Sequence, residues 1–314
     1  MDTADRIESR LKLHDVRVLL AVAQAGSMHK AAERLGTSQP AVSRSISELE
    51  HALGVRLLDR GHGGVEPTHY GRAIIKRGVA VFDELRQGVK DIEFLSDPTT
   101  GELRIGCTEA MAAGPGFAVM DRLMRRHPRI EFNVVTAGEL ALHRSLADRG
   151  VDLVMSPLSG PVPEEFLVET LFNDSFVVVA GVQNPWTRRR KIALADLMDE
   201  PWTLLQPGGP AGALIVEVFR ASGLGLPRAS VITASLNLRN RLLATGRFLT
   251  MQAGYTLAAP SKYPLLKALS VKMPNVRRPV AILTLKNRTL SPLAELFIRT
   301  AREVAKGVAN KGKA

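Results

Sequence analysis

Residues 36–50 read GTSQPAVSRSISELE, and the reading of this run decides the reading of the whole chain. Val42, Ile46, Leu49 and Leu53 recur at helical spacing, so the run is a helix with one apolar face. Thr37, Ser38, Gln39, Ser43, Arg44, Ser45 and Ser47 crowd its start and its other face. Short polar side chains compete with the backbone for hydrogen bonds and are poor helix formers. A face built from them needs a reason outside the fold. Ser38 or Thr37 can cap the helix, and Pro40 sits in its first turn, where no intrahelical N–H is lost.

Upstream, Leu13, Val16, Leu19, Leu20 and Val22 stripe a first helix that Gly26 ends. Ser27 can cap a second helix with Ala31, Ala32 and Leu35 as its buried face, and Gly36 supplies the left-handed turn into the third. Two short helices joined by a tight glycine turn make a helix-turn-helix. Downstream, VRLLDRGHGGVEPTHYG at 55–71 alternates around GHGG and predicts a two-stranded wing, with Gly61, Gly63 and Gly64 at its tip. A long helix follows over 71–95. In it Ile75, Phe82 and Val89 fall seven apart, with Leu85 and Ile92 at the complementary position, the a/d seam of a dimerising coiled coil. An amphipathic helix packed on its own domain is the alternative.

In a helix-turn-helix the second helix sets its early residues on base edges in the major groove. Gln39 can give and take hydrogen bonds with adenine, and Arg44 can pair with guanine or hold a phosphate. Ser43 is small enough to let the helix approach, and Ser47 lies one turn further on. Thr37, Ser38 and the helix N-terminus can bind phosphate. The polar face thus suits close reading of DNA; the plainer alternative is that Ser38 only caps and the serines face solvent.

SDPTTG at 96–101 is a linker by composition. Beyond it, strand-like runs (103–107, 131–135, 151–155, 176–181, 230–235, 247–251 and 280–285) alternate with helical stretches near 110–126, 139–149, 193–199, 211–222, 236–245 and 290–308. This predicts an α/β fold of two similar halves with a cleft between them. The expected domains are 1–70, a 71–95 helix, a 96–101 hinge, and an α/β module over 102–310. Its first subdomain spans about 102–175 and 266–310, its second about 176–265.

The 314 residues carry a net charge of +11 and a pI near 10.1, which invites a nucleic-acid partner. Yet residues 1–95 hold 14 Lys+Arg against 13 Asp+Glu, so the excess lies downstream, in RRRK at 188–191 and in the tail KGVANKGKA. The single cysteine, Cys107, excludes an internal disulfide framework and reads as a buried structural thiol rather than a redox centre. Five of the seven histidines, at 14, 29, 51, 62 and 69, show no metal-ligand spacing; His62 in the wing tip can touch phosphate or simply face solvent. The charged opening MDTADRIESR is no signal peptide and no apolar run spans a membrane, so a cytoplasmic protein without a membrane partner is expected. No catalytic constellation, metal site or cofactor motif is found, and an enzyme is not expected.

The stretch AGSMHKAAERLGTSQPAVSRSISELEHALGVRLLDR, 25–60, resembles the N-terminal signature of the LysR-type transcriptional regulators, and the rest of the chain follows that family's plan. The resemblance implies an all-α winged helix-turn-helix domain and a long linker helix. An α/β two-subdomain effector domain resembling periplasmic binding proteins then follows. It further implies a dimer or tetramer on double-stranded promoter DNA, a bend that changes when a small metabolite binds, and RNA polymerase as a further partner. The positions matching the family's DNA contacts are Thr37, Ser38, Gln39, Pro40, Ser43 and Arg44, with Arg60 and Thr68 as minor-groove or phosphate contacts. For the effector, a small carboxylate by the family's pattern, the matching positions are Thr108, Thr136, Ser156, Gln206 and Ser235. Arg239 and Arg241 are nearby candidates for an anion, although solvated helix charges are the commoner role. ATGRFLTMQ at 244–252 departs from the family's glycine-rich apolar segment, and its Arg247 and Phe248 bear on which ligand is taken. The alternative is an architectural DNA binder without an effector.

Overall fold

Apolar periodicity dictates the first three helices. A computed structural model describes residues 11–61, 64–258 and 265–311. The opening MDTADRIESR, His62 and Gly63 of the wing tip, and the last three residues of the tail lie outside the described residues. Helix α1, Leu13–Ala25, buries Val18, Leu19 and Val22 and ends where Gly26 takes φ +64°. Helix α2, Met28–Leu35, buries Met28, Ala31 and Ala32. Ser27 stands at its N-terminus, but its side chain makes no capping bond, contrary to expectation. Gly36, at φ +64°, turns the chain into α3, Gln39–Leu53, where Ser38 Oγ accepts from Ala41 N at 3.4 Å. Val42, Ile46 and Leu49 meet the buried residues of α1 and α2 in one core with Leu57 and Leu58. Glu50 Oε1 accepts from Leu57 N at 2.7 Å, fixing the chain's entry into β1, Leu58–Gly61, which pairs antiparallel with β2, Gly64–Pro67.

Helix α4 runs from His69 to Ser96. Thr68 starts it, its hydroxyl accepting from Gly71 N at 3.0 Å and donating to Arg56 O at 2.8 Å. The chain divides into two compact units within α4, one through Gly88 and one from Val89. Ile75, expected in a dimer seam, packs instead on the N-terminal core. Nearby Gly78, at a seam position, is there because a Cβ would lie 2.7 Å from Val16 Cγ1. Phe82 is half-buried, whereas Leu85, Val89 and Ile92 are 51%, 56% and 66% exposed. Because the helix reaches Ser96 and the next strand starts at Thr100, the hinge is shorter than SDPTTG.

In the second unit the strands are β3 Thr100–Cys107, β4 Arg129–Thr136, β5 Leu153–Pro157, β6 Phe166–Gly181, β7 Trp202–Leu204, β8 Ala229–Ile232, β9 Leu249–Ala253, β10 Leu266–Ala268 and β11 Arg277–Leu285. They follow the order β4-β3-β5-β11-β6-β9-β7-β8, with β10 on β6. The helices that position the site are α5 Phe117–Arg126, α6 Glu139–Ala147, α7 Pro210–Ala221 and α8 Leu236–Ala244, and α9, Pro292–Lys311, covers the first half. β6 is far longer than the expected 176–181. Residues 167–171 are exposed or half-buried and the run is broken by Glu169, Asn173 and Asp174, so no continuous apolar run or clean alternation marks its early part. β7 and β10, three residues each, carry too little pattern to be read. Residues 266–276 belong with the second half rather than the first: β10 pairs with the far end of β6, and Leu269, Val271 and Met273 join that half's core.

Asp152 is the polar knot of the first half. Its carboxylate accepts from Arg104 N at 2.8 Å, Arg104 Nη2 at 2.7 Å and Arg288 Nη2 at 2.6 Å, and Lys90 Nζ on α4 lies 3.7 Å away. Burial works to raise its pKa, but hydrogen bonds from the Arg104 side chain and backbone, with the charges of Lys90 and Arg288, hold it at about 2.

Candidate functional site

Two surfaces have the chemistry of a site, one in each unit. On α3 the buried Val42, Ile46 and Leu49 turn the opposite side outward, so Gln39, Pro40, Arg44 and Ser47 are exposed together with Thr37 and Ser38, and Ser43 is half-buried. Among the described residues no carboxylate pairs with Arg44. Arg60 stands in β1 opposite Val65, but its side chain, like His62, lies outside the described residues. Thr68 departs from expectation, since its hydroxyl is engaged within the domain as a cap.

The second surface is a cleft of about 480 Å³ between the two halves of the α/β unit. Thr108 follows β3 and Thr136 ends β4; both line it, as do Gln206 before α7 and Ser235 before α8. Ser235 Oγ accepts from Leu238 N at 3.3 Å, and the N-termini of α6, α7 and α8 all border the space. At α7 the glycine-rich turn is needed sterically: a Cβ on Gly212 would collide with the Gln206 carbonyl. Such termini offer N–H groups to an anion.

Residues 96–306 match the family model described as LysR substrate binding domain, and residues 13–72 match that of the bacterial regulatory helix-turn-helix protein, lysR family. The chain belongs to the LysR family. It is 27% identical over 304 residues to the HTH-type transcriptional regulator GbpR of Azospirillum brasilense, covering 94% of this chain and 87% of that one. Its fold resembles full-length OxyR C199D from Pseudomonas aeruginosa, with a TM-score of 0.65, 21% identity and coverage of 94% and 95%. It also resembles full-length CbnR complexed with its target DNA, with a TM-score of 0.55, 19% identity and coverage of 94% and 100%. This LysR protein is a DNA-binding transcriptional regulator with a substrate-binding domain.

Ser156 does not line the cleft of this regulator. Ser156 is fully buried on β5 between β3 and β11, whereas Pro157, the last residue of that strand, and Ser159 border the space. Arg239 lines the cleft and is 4% exposed, unlike a solvated helix charge, while Arg241 is exposed. Arg247 stacks on Phe248 at 5.5 Å, and neither borders the cleft.

Glu109, Gln252, Tyr255 and Arg278 also line the cleft, although no motif marks them. Arg278 is 7% exposed, lies over the Phe176 ring at 4.5 Å and sits beside Asp174. Burial pushes the Asp174 carboxyl up to about 6 against the opposing charge of Arg278, and it accepts from Tyr255 N at 3.1 Å. A buried arginine after a proline-containing loop resembles any solvated strand edge in sequence, so only the fold reveals it.

Cys107 is fully buried in the first half's core, and burial pushes its thiol up to about 12, so it is a protonated core residue at neutral pH. Among the described residues there is no cluster of three or more metal-type ligands, and no helix is long and apolar enough to cross a membrane.

Proposed function

We propose that this LysR regulator acts in the cytoplasm as a homodimer or homotetramer on dyad-symmetric promoter DNA, and that a small carboxylate-bearing metabolite in the cleft alters that contact and hence the action of RNA polymerase. The observation that carries the effector half is Arg239, a buried guanidinium whose Nε and Nη1 have no hydrogen-bond partner and which borders the cleft. A buried cation with unmade bonds is costly, and an anionic ligand supplies what it lacks. Thr108, Thr136, Gln206 and Ser235 would orient that ligand, while Ser156, being enclosed, would not.

On the DNA side, Gln39 and Arg44 read bases, Ser43 allows close approach, and Thr37, Ser38 and Pro40 set the N-terminus of α3 against the phosphates. CbnR, which shares the fold, has been seen with its target DNA. Leu85, Val89 and Ile92, with Phe82, form the dimer seam.

A footprint on the DNA beside the gene, with and without pooled small carboxylates and at several salt concentrations, tests the reading. A discrete dyad-symmetric footprint that changes with one pool is expected. Protection without boundaries at every salt would leave only sequence-independent binding. In the same assay Gln39→Ala is expected to relax base preference at one position of each half-site by about 1–3 kcal/mol. Equal weakening on every sequence would assign Gln39 to backbone positioning.

A further inference from the structure

The two walls of the cleft differ in charge. Glu109 and Glu139 lie in the first turns that follow β3 and open α6, on the first half's side. α7 and α8, on the other side, have no acidic residue in their first turns. The N-terminal N–H groups of α8 nevertheless have a carboxylate. Leu236 N donates to Glu109 Oε2 at 2.8 Å, a bond between residues 127 apart in the chain that ties the end of β3 to α8 across the cleft.

Arg239 lies one turn into the same helix. It is 4% exposed, with Nε and Nη1 unpartnered, and Gln252 Oε1, also in the cleft lining and 5% exposed, has no donor. Burial disfavours the Arg239 charge and the Glu109 carboxylate favours it, so the two groups sense each other. A carboxylate placed at this helix end could accept from Leu236 N and from the guanidinium together, a charge-assisted arrangement stronger than ordinary hydrogen bonds. Glu109 fills the first role and leaves the second incomplete.

We propose that Glu109 is a built-in rival of the effector: it holds the anion seat at the N-terminus of α8, and a ligand carboxylate enters by taking its place on Leu236 and Arg239. The proposal rests on the reading of the cleft as an effector site. Exchange gives the ligand a contact that differs between the tied and untied states, which is the requirement for any ligand to shift a conformational equilibrium. It also sets specificity, because only a planar anion able to satisfy both the helix end and the guanidinium displaces the resident carboxylate. An uncharged ligand of the same size leaves the tie in place.

The test uses the full-length protein and acetate, succinate and citrate as probes, titrated calorimetrically into wild type, Glu109→Gln, Glu109→Ala and Arg239→Gln. Glutamine keeps the shape and an acceptor for Leu236 N but gives up the charge. At least one probe is expected to bind a Glu109 variant tenfold or more tightly than wild type and to lose binding in Arg239→Gln, with a cooperative thermal unfolding transition retained by all four proteins. A probe that binds wild type and needs Arg239, yet binds both Glu109 variants equally or more weakly, overturns the rivalry and leaves the effector reading standing. Binding that ignores Arg239→Gln places the anion elsewhere and also overturns it. No binding of any probe by any of the four proteins would remove both readings together.

Discussion

Leu85→Asp is expected to leave the protein monomeric. Leu85 is 51% exposed on α4, and Val89 and Ile92 continue its face one and two turns on. Single residues of this kind are ordinary on a surface, but a row of them on one helix face is the pattern the proposed dimer seam requires. A paired seam would bury each aspartate as an unpaired charge. That costs several kcal/mol per ion, and each ~1.4 kcal/mol is a factor of ten, so dissociation should loosen at least about a thousandfold. Sedimentation of wild type and variant at micromolar concentration checks this. Monomeric Leu85→Asp should also lose its dyad-symmetric footprint, since one helix-turn-helix reads only one half-site. An unchanged mass would remove the seam and return these residues to an unpaired helix face.

Asp152→Ala is expected to destabilise the α/β unit by about 3–5 kcal/mol, the range for removing one partner of a buried ion pair. The carboxylate serves Arg104, Arg288 and Lys90 at once, and Arg288 is nearly sealed from solvent, with 2% side-chain exposure. Without Asp152 the three cations lose the carboxylate they share, although Lys90 keeps Glu102 at 3.5 Å. Urea unfolding at neutral pH measures the loss. The pH dependence has a definite sign, because the folded carboxyl sits at about 2, below its ordinary value. Its contribution is therefore present above about pH 4 and is lost as the pH falls toward 2, a change of roughly 2–3 kcal/mol from this group. The gap between wild type and variant should narrow over that window. A gap that stays constant down to pH 2 would mean the carboxylate acts only by filling space.

The legibility of the molecule followed how local each signal was. α3 could be read because apolar spacing, a capping serine and a first-turn proline all fall within fifteen residues. The hairpin of the wing could be read because alternation and glycines coincide there. The cleft was legible only in part. Thr108, Thr136, Gln206 and Ser235 occupy strand ends or helix starts, positions that sequence pattern locates well, and they do border the space. Ser156 satisfied the same pattern but is fully buried, while its neighbour Pro157 on the same strand borders the space, a distinction that depends on how β5 packs and not on the pattern itself. Arg278 and Glu109 escaped for the converse reason: they act through residues far away, Phe176 and Leu236 respectively. Ile75 fitted a heptad and also a core, and close packing of α1 at Gly78 decided between them.

β6 is one unbroken strand from Phe166 to Gly181, yet its ladder changes owner at the middle: Ser175 still faces β11, and Phe176 already faces β9. The two halves are therefore joined less like jaws on a pin than like two flags on a single pole. Any swing of one against the other must be wrung out along the pole, by twisting peptide units whose amides are already engaged. A hydrogen-bonded strand resists such twisting, so a swing between the two halves is expected to be short.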